Sequence, residues 1–376
     1  MAKKPDKKSN APAISVIIAM YNTEKYIAQC LESLLAQTFQ DFEVIVADDC
    51  STDNSAAIVD SMTPQFEGRL KLIRLKKNSG FPGLPRNTAM STAKGKYIAF
   101  LDSDDFYKPD ALERFYNLAE QNDAEVIHAE KYFTFNEENI DKGVFTFQKG
   151  PYVEKPTFET DNIGERVINF VSYKTLWWGI NKLFRREFLT KNNIKFPNDI
   201  TAWEDLVFAY HCILRSEKYL RVPDIVYCYR IRKGSLSHKG RDAFEMMSNL
   251  IGSMKAMDKI MEKTPFIVQN PFLRYRFTDW YVQGRLKTIR DAAYNYDKFQ
   301  PFQICDLFRK KFFAVNTADQ IALYSYFFTV TTHDKNLLDE KDKQITELQA
   351  KIKELETSTQ NSDAVDNSPI IIPSDR

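Results

Sequence analysis

The sequence predicts an α/β protein: a mostly parallel sheet with helices on both faces. Two features of the first 130 residues predict it. Short β-branched runs recur with helix-length stretches between them, and several of those runs end in polar clusters. A third feature, helical sequence rich in Phe, Tyr and Met after Arg241, predicts an added C-terminal part. In order, the strand candidates are Ile14–Met20, Phe42–Asp48, Leu70–Leu75, Tyr97–Leu101 and Glu125–His128. The helical patterns between them are Glu24–Ala36, Asp53–Ser61, Pro85–Ala93 and Pro109–Gln121. Ser51 and Asp53 fall where helix N-caps are expected, and Pro109 suits a first helical turn.

From Tyr132 to Glu159 the pattern changes to alternating aromatic and polar residues, which suits hairpins or irregular loops better than helices, and α/β signals return through Val226–Tyr229. Residues 241 to about 330 read as several helices packed on, or hinged to, the first domain. In Asp334–Glu356, Leu338, Ile345 and Ile352 fall seven apart, Leu348 and Leu355 occupy the second seam, and Lys341 interrupts it. That pattern fits one amphipathic helix lying on the domain or a short coiled coil, and the nearly continuous polar face favours a homo-oligomer. The predicted organisation is a disordered basic segment (1–11), an α/β domain (12–239), a helical region (240–333), a coiled-coil helix (334–356) and a disordered tail (357–376).

A formal net charge of +1 over 376 residues gives no overall field and argues against a protein built to bind nucleic acid. The five cysteines are scattered without a C-x-x-C pair, which predicts reduced thiols and a cytoplasmic setting. No apolar region follows the N-terminal lysines, and no run reaches the roughly 18 apolar residues of a spanning helix. The expectation is a soluble protein. Lys3, Lys4, Lys7 and Lys8 suit a solvated tail or peripheral contact with the inner face of an anionic membrane.

The strongest chemical signal is Tyr97-Ile-Ala-Phe-Leu-Asp-Ser-Asp-Asp105. An apolar strand delivers Asp102 and Asp104, flanking Ser103, just past the carboxyl end of a parallel sheet, where ligands bind in open α/β folds. A hard cation such as Mg²⁺ or Mn²⁺ takes one or two carboxylates together with substrate phosphate oxygens. On its own the D-x-D pattern reads equally well as a solvated acidic turn. Its company changes that balance. Ala19-Met-Tyr-Asn22 with Glu24, Asp48-Asp-Cys-Ser-Thr-Asp53, Asn78-Ser-Gly80 and Arg86-Asn87 all fall on the same sheet edge. Together they suit a nucleotide: Asn22 and backbone near the base, Tyr21 against its face, Asp49 on base or ribose, Arg86 near base or phosphates.

These motifs, in this order, resemble the family 2 glycosyltransferases of the GT-A fold, a group that includes bacterial polysaccharide and teichoic-acid sugar transferases. The resemblance runs from Pro12 to Lys239 and excludes the helical region, the heptads and the tail. Ala19 stands where proline is common, and Asn87-Thr-Ala lacks the usual following glycine. The resemblance implies a donor site of Ala19, Tyr21, Asn22, Glu24, Asp49 and Arg86, with Asp102 and Ser103 on the ribose or uracil side. Asp104 would hold a metal bridging the diphosphate of a UDP-sugar. Trp203-Glu-Asp-Leu-Val-Phe208 resembles the family's Glu-Asp motif. Inverting transfer needs a base for the acceptor hydroxyl, and Asp205 is assigned that role, with Glu204 positioning the acceptor or supporting the orientation of Asp205. Acids at a helix start are also what the helix dipole favours, so the assignment rests on their position after the D-x-D motif.

In Tyr227–His238, Arg232, Ser235 and Ser237 suit a loop closing over a diphosphate, and His238 would complete the metal site as similar histidines do in this family. Asn181-Lys182 resembles a motif near the sugar or acceptor, and Trp177 or Trp178 could stack on a sugar ring or pack in the core. The implied partners are a nucleotide-sugar donor and a glycan or lipid-linked acceptor in surface-polysaccharide synthesis. Two other readings compete. A dehalogenase-like phosphatase also uses strand-D-x-D, but its motif wants Thr or Val where Phe106 stands and lies on its first strand. A non-catalytic nucleotide-sugar or glycan-binding subunit is the other. Dehydrogenase and P-loop classes lack their glycine-rich motifs.

Overall fold

The computed structural model describes residues 11–136, 146–147, 152–171, 179–232 and 243–274, together with Phe277, Thr278, Trp280, Tyr281 and Arg285. Four parallel strands form the first half of the sheet: β1 (Ile14–Met20), β2 (Phe42–Asp48), β3 (Leu70–Arg74) and β4 (Tyr97–Phe100), in the order β3-β2-β1-β4. Every residue of β1 except Ala19 is buried, because a central parallel strand is covered on both faces. Helix α1 (Ile27–Leu35) buries Ile27, Cys30, Leu31 and Leu34, the i, i+3, i+4, i+7 stripe that seats a helix on a sheet. Next come α2 (Ser55–Met62), α3 (Gly83–Thr92) and α4 (Ala111–Asn122).

Helix starts differ from the sequence expectation by two or three residues. α1 begins at Ile27 because Thr23 to Tyr26 form a turn, with the Tyr26 and Ile27 amides donating to the Thr23 carbonyl. Asn54, not Ser51 or Asp53, precedes α2, and Pro109 lies ahead of α4 rather than in its first turn, with Asp110 immediately preceding the helix. Asp53 still serves the helix start from one residue further out, its Oδ1 accepting from the Ser55 amide at 3.0 Å. Gly95 enters β4 against β1 so closely that a Cβ there would stand 2.5 Å from the Ser15 nitrogen, while its own amide donates to Ser15 Oγ. Only glycine fits that approach.

The second half of the sheet is mixed. β6 (Val126–Phe135) lies parallel to the long β10 (Tyr219–Arg230), and both join the first half through β9 (Lys182–Arg185). β9 runs antiparallel to both β4 and β6, so the sheet is not parallel throughout. Short strands complete it: β5 (Phe106–Tyr107) and β8 (Thr157–Phe158) on β10, and β7 (Thr146–Phe147) on β6. Helices α5 (Ile163–Val171), α6 (Arg186–Lys191), α7 (Glu204–Arg215), α8 (Ala243–Glu262) and α9 (Pro265–Gln269) follow in chain order.

Aromatic packing fixes α7 to the sheet. Phe208 stacks on Phe196 at 4.2 Å and meets Phe100 of β4 and Phe184 of β9 edge-on at 5.7 and 5.3 Å. α8 supports the loop leading into α7: Asn249 Oδ1 accepts from the amides of Thr201 and Ala202, and Gly252 leaves room for Ile200. Among the described residues no helix is long and apolar enough to cross a membrane.

Candidate active site

The loops after β1 and β2 lock onto each other. Asn22 takes a left-handed backbone (φ 50°); its amide donates to Ser51 Oγ at 3.0 Å and its Oδ1 accepts from the Thr52 amide at 2.8 Å. Glu24 Oε2 accepts from the Asn54 amide at 2.9 Å, while the Glu24 amide donates to Asp53 Oδ2 at 3.0 Å. These bonds hold two loops at the ends of adjacent parallel strands. Tyr21, at the tip, is 45% exposed. Asp49 is buried and accepts from the Ser79 amide and hydroxyl at 2.8–3.0 Å. Burial raises its pKa, and the Ser79 bonds oppose that rise. Ser79 was present in the sequence motif, but its part as Asp49's partner comes from the fold alone.

Past β4, Asp102, Asp104 and Asp105 each have a different counterpart. Asp102 Oδ1 accepts from Arg86 Nη2 at 2.6 Å. Asp104 Oδ2 accepts from Arg232 Nε at 2.6 Å, and Arg230 Nε donates to the Asp104 carbonyl at 2.8 Å. Asp105 is fully enclosed, with the Tyr227 hydroxyl and Arg230 amide donating to it at 2.7 Å each. Burial first, then the neighbouring carboxylates, push Asp105 well above the usual carboxylate range; burial and Asp102 also raise Asp104. Ser103 is buried between them. Asp105, Tyr227 and Arg230 were not assigned roles from sequence. Tyr227 and Arg230 bring the end of β10 onto the acidic turn, a juxtaposition of residues more than 120 apart that no sequence window shows.

Arg86 joins this cluster to the second acidic pair. It is buried on α3, with Nη2 on Asp102 and Nη1 3.4 Å from Glu204 Oε1, its guanidinium lying 5.2 Å from the centre of the Phe196 ring. Burial disfavours its charge, but Asp102 and Glu204 more than offset that and its pKa is raised. Asn87, next along α3, exchanges hydrogen bonds with the Phe196 backbone, which fixes the approach to α7. Glu204 is buried at the first position of α7, and Asp205 beside it is partly accessible, Oδ1 accepting from the Leu206 amide at 2.8 Å. Burial raises the Asp205 pKa; Arg86 lowers it and Asp102 raises it further. A carboxylate made more basic at the edge of solvent suits proton abstraction.

Asn181, left-handed at φ 62°, donates through Nδ2 to the Ala129 and Lys131 carbonyls and so ties β9 to β6. Lys182 is buried within electrostatic reach of Cys212 and Asp205, and burial lowers its pKa to about 7. Ser235, Ser237 and His238 lie outside the described residues, as do Trp177, Trp178 and the heptads from Leu338 to Leu355. Among the described residues no group of three or more His, Cys, Asp and Glu side chains is arranged to hold a metal ion. A cation held by one or two carboxylates and completed by phosphate oxygens still fits the donor chemistry present. Asp104 is a hard oxygen donor whose charge is disfavoured by burial and by Asp102, an imbalance that added positive charge would relieve.

A mixed α/β sheet with acidic turns at its carboxyl edge is the architecture of the GT-A class, and solved structures agree. Residues 1–349 of Staphylococcus aureus TarS in complex with UDP superpose with a TM-score of 0.55 at 24% identity, covering 71% of this chain and 70% of that one. The sequence profile of Glycosyl transferase family 2 matches residues 15–197. Glycosyltransferase GlyG of Streptococcus pneumoniae is 31% identical over 253 residues, covering 63% of this chain and 79% of that protein. The chain belongs to glycosyltransferase family 2. The poly(ribitol-phosphate) beta-glucosyltransferase of Bacillus spizizenii is 34% identical over 252 residues, covering 65% of this chain but only 37% of its own length.

Proposed function

We propose that this protein is an inverting, metal-dependent glycosyltransferase that moves a sugar from a nucleoside-diphosphate donor, with UDP as the preferred nucleotide, to a glycan or lipid-linked acceptor in surface-polymer synthesis. The observation that carries the reading is the Arg86 bridge. It sets the D-x-D carboxylate Asp102 and the Glu-Asp carboxylate Glu204 on one guanidinium, although they lie about a hundred residues apart in sequence. The relatives' names support the substrate class: poly(ribitol-phosphate) for the B. spizizenii protein, and UDP for the S. aureus structure.

Tyr21, Asn22, Glu24 and Asp49 would line the nucleotide end, with Asp102 and Ser103 on the ribose side. Asp104 would hold a divalent cation, Mn²⁺ or Mg²⁺, with His238 as a second ligand; such an ion, when bound, offsets the charge of the departing diphosphate. Arg232, Ser235 and Ser237 would face that diphosphate. Asp205 takes the proton of the acceptor hydroxyl as its oxygen forms the new bond to the anomeric carbon. The bond from that carbon to the diphosphate breaks on the opposite side, so configuration inverts. Glu204, paired with Arg86, orients the start of α7.

Calorimetric titration of UDP, GDP and dTDP into wild type and Asp104→Ala, with and without Mn²⁺, tests this. Metal-dependent binding of one nucleotide, lost in the variant, is the expected result. No nucleotide binding by wild type under any metal condition would remove the donor site and leave the glycan-binding reading.

A further inference from the structure

Trp203 immediately precedes the two acids and has a left-handed backbone, φ 63°. A bulky residue is rarely found there, and such a conformation persists only where its surroundings hold it. The holding groups come from beyond the family-matched stretch, which ends at residue 197. The Arg285 guanidinium lies 5.2 Å from the centre of the Trp203 ring and 5.7 Å from that of Tyr281, and the two rings meet edge-on at 6.3 Å. Tyr281 is itself buried and shares a 2.5 Å hydrogen bond with Ser253 on α8. One turn away on that helix, Asn249 holds the Thr201 and Ala202 amides. Both sides of the approach to α7 are therefore fixed by the C-terminal helices.

We propose that Arg285 is a positioning residue for the sugar-transfer base: stacked on Trp203 and Tyr281, it fixes the strained start of α7 and adds a positive charge on the Trp203 side of Asp205. The inference rests on Asp205 being that base. Arg86 also acts on Asp205 but is shared with Asp102 and Glu204, so Arg285 adds positive charge from the side of Trp203. The groups that face Asp205 are Arg86 on α3, Asp102 past β4, Lys182 on β9, Tyr281 and Arg285; Glu204 adjoins it on α7 and Gly179 packs against its Cβ. Arg86, Lys182 and Arg285 favour the carboxylate, Asp102 opposes it, and of the three cations Arg285 is the one stacked on the residue that starts the helix.

The test uses the full chain with Arg285→Gln, Arg285→Met and Arg285→Lys. In Gln and Met variants, kcat falls about tenfold and the acid limb of its pH profile moves up by about one pH unit, with donor KM within about twofold. Lys restores most of both, since an ammonium also sits over an indole face. The same variants are read without turnover by titrating the Asp205 carboxyl by ¹³C NMR, its signal assigned by loss in Asp205→Asn. An Asp205 titration midpoint moved upward in Arg285→Gln or Arg285→Met supports the inference even if wild type transfers no sugar, an outcome that would count against the transferase reading alone. Either folded variant with an unmoved midpoint, or a Lys variant as impaired as Gln, overturns it. Arg285→Met, which keeps an apolar stem on the rings, decides the matter if Gln does not fold.

Discussion

Asn22 and Glu24 are held by hydrogen bonds to a loop about 30 residues on, whereas Glu204 and Asp104 are held by guanidinium groups 118 and 128 residues away in sequence. The first arrangement belongs to the parallel half of the sheet, where successive strands are neighbours and their loops meet by topology alone. The second belongs to the mixed half, where β9 is inserted antiparallel and β10 returns to cover the acidic turn. The difference separates two tasks. The parallel half builds a rim whose carboxylates are held by backbone amides and hydroxyls, and the mixed half pairs carboxylates with guanidinium groups in poor solvent.

If that division is right, Asp205→Asn lowers kcat by roughly 10²–10⁴-fold and leaves nucleotide affinity unchanged, measured by single-turnover transfer and by calorimetry. A parallel loss of nucleotide binding would merge the two tasks. Arg86→Met should lower unfolding stability by about 3–5 kcal/mol, because it strands Asp102 and Glu204 without their cation; urea denaturation measures it. Lys182 gives a test with a sign. Its folded pKa of about 7 lies below the ordinary lysine value of 10.5, so between these the unfolded chain binds more protons and stability rises with pH. Lys182→Met should flatten that rise, seen as melting temperatures that no longer climb from pH 7 to pH 10. Gly95→Ala should cost about 1–3 kcal/mol, since the new methyl meets β1 backbone. Asn22→Ala should cost about 1 kcal/mol and weaken nucleotide binding more than kcat.

The parallel half was legible because its signals are short-range. Continuous apolar runs, alternating helices and polar strand ends placed β1 to β4 within a residue or so, and they put Asp49, Arg86 and Asp102 on one edge. The mixed half was not. β9 is four residues long, too short for any periodicity, and the β6 candidate ended at His128 although the strand continues to Phe135. The Tyr227–Asp105 and Arg230–Asp104 contacts depend on the return of β10, so in the sequence Tyr227 and Arg230 read only as the start of a basic loop. Trp203's backbone conformation has no signature in composition, since glycine or asparagine would be expected at such a position.

Arg86 has one further consequence, for the order of events. Asp102 and Glu204, proposed above to lie toward donor and acceptor, draw on a single buried guanidinium. A ligand that engages Asp102 changes how strongly Arg86 holds Glu204, and an acceptor that engages Glu204 changes its hold on Asp102 by the same free energy, since linkage is reciprocal. On the proposed assignment, occupancy of one subsite is thereby communicated to the other without any domain movement. In a transferase, such communication can delay readiness for attack until both substrates are seated, a safeguard against losing the donor's sugar to water.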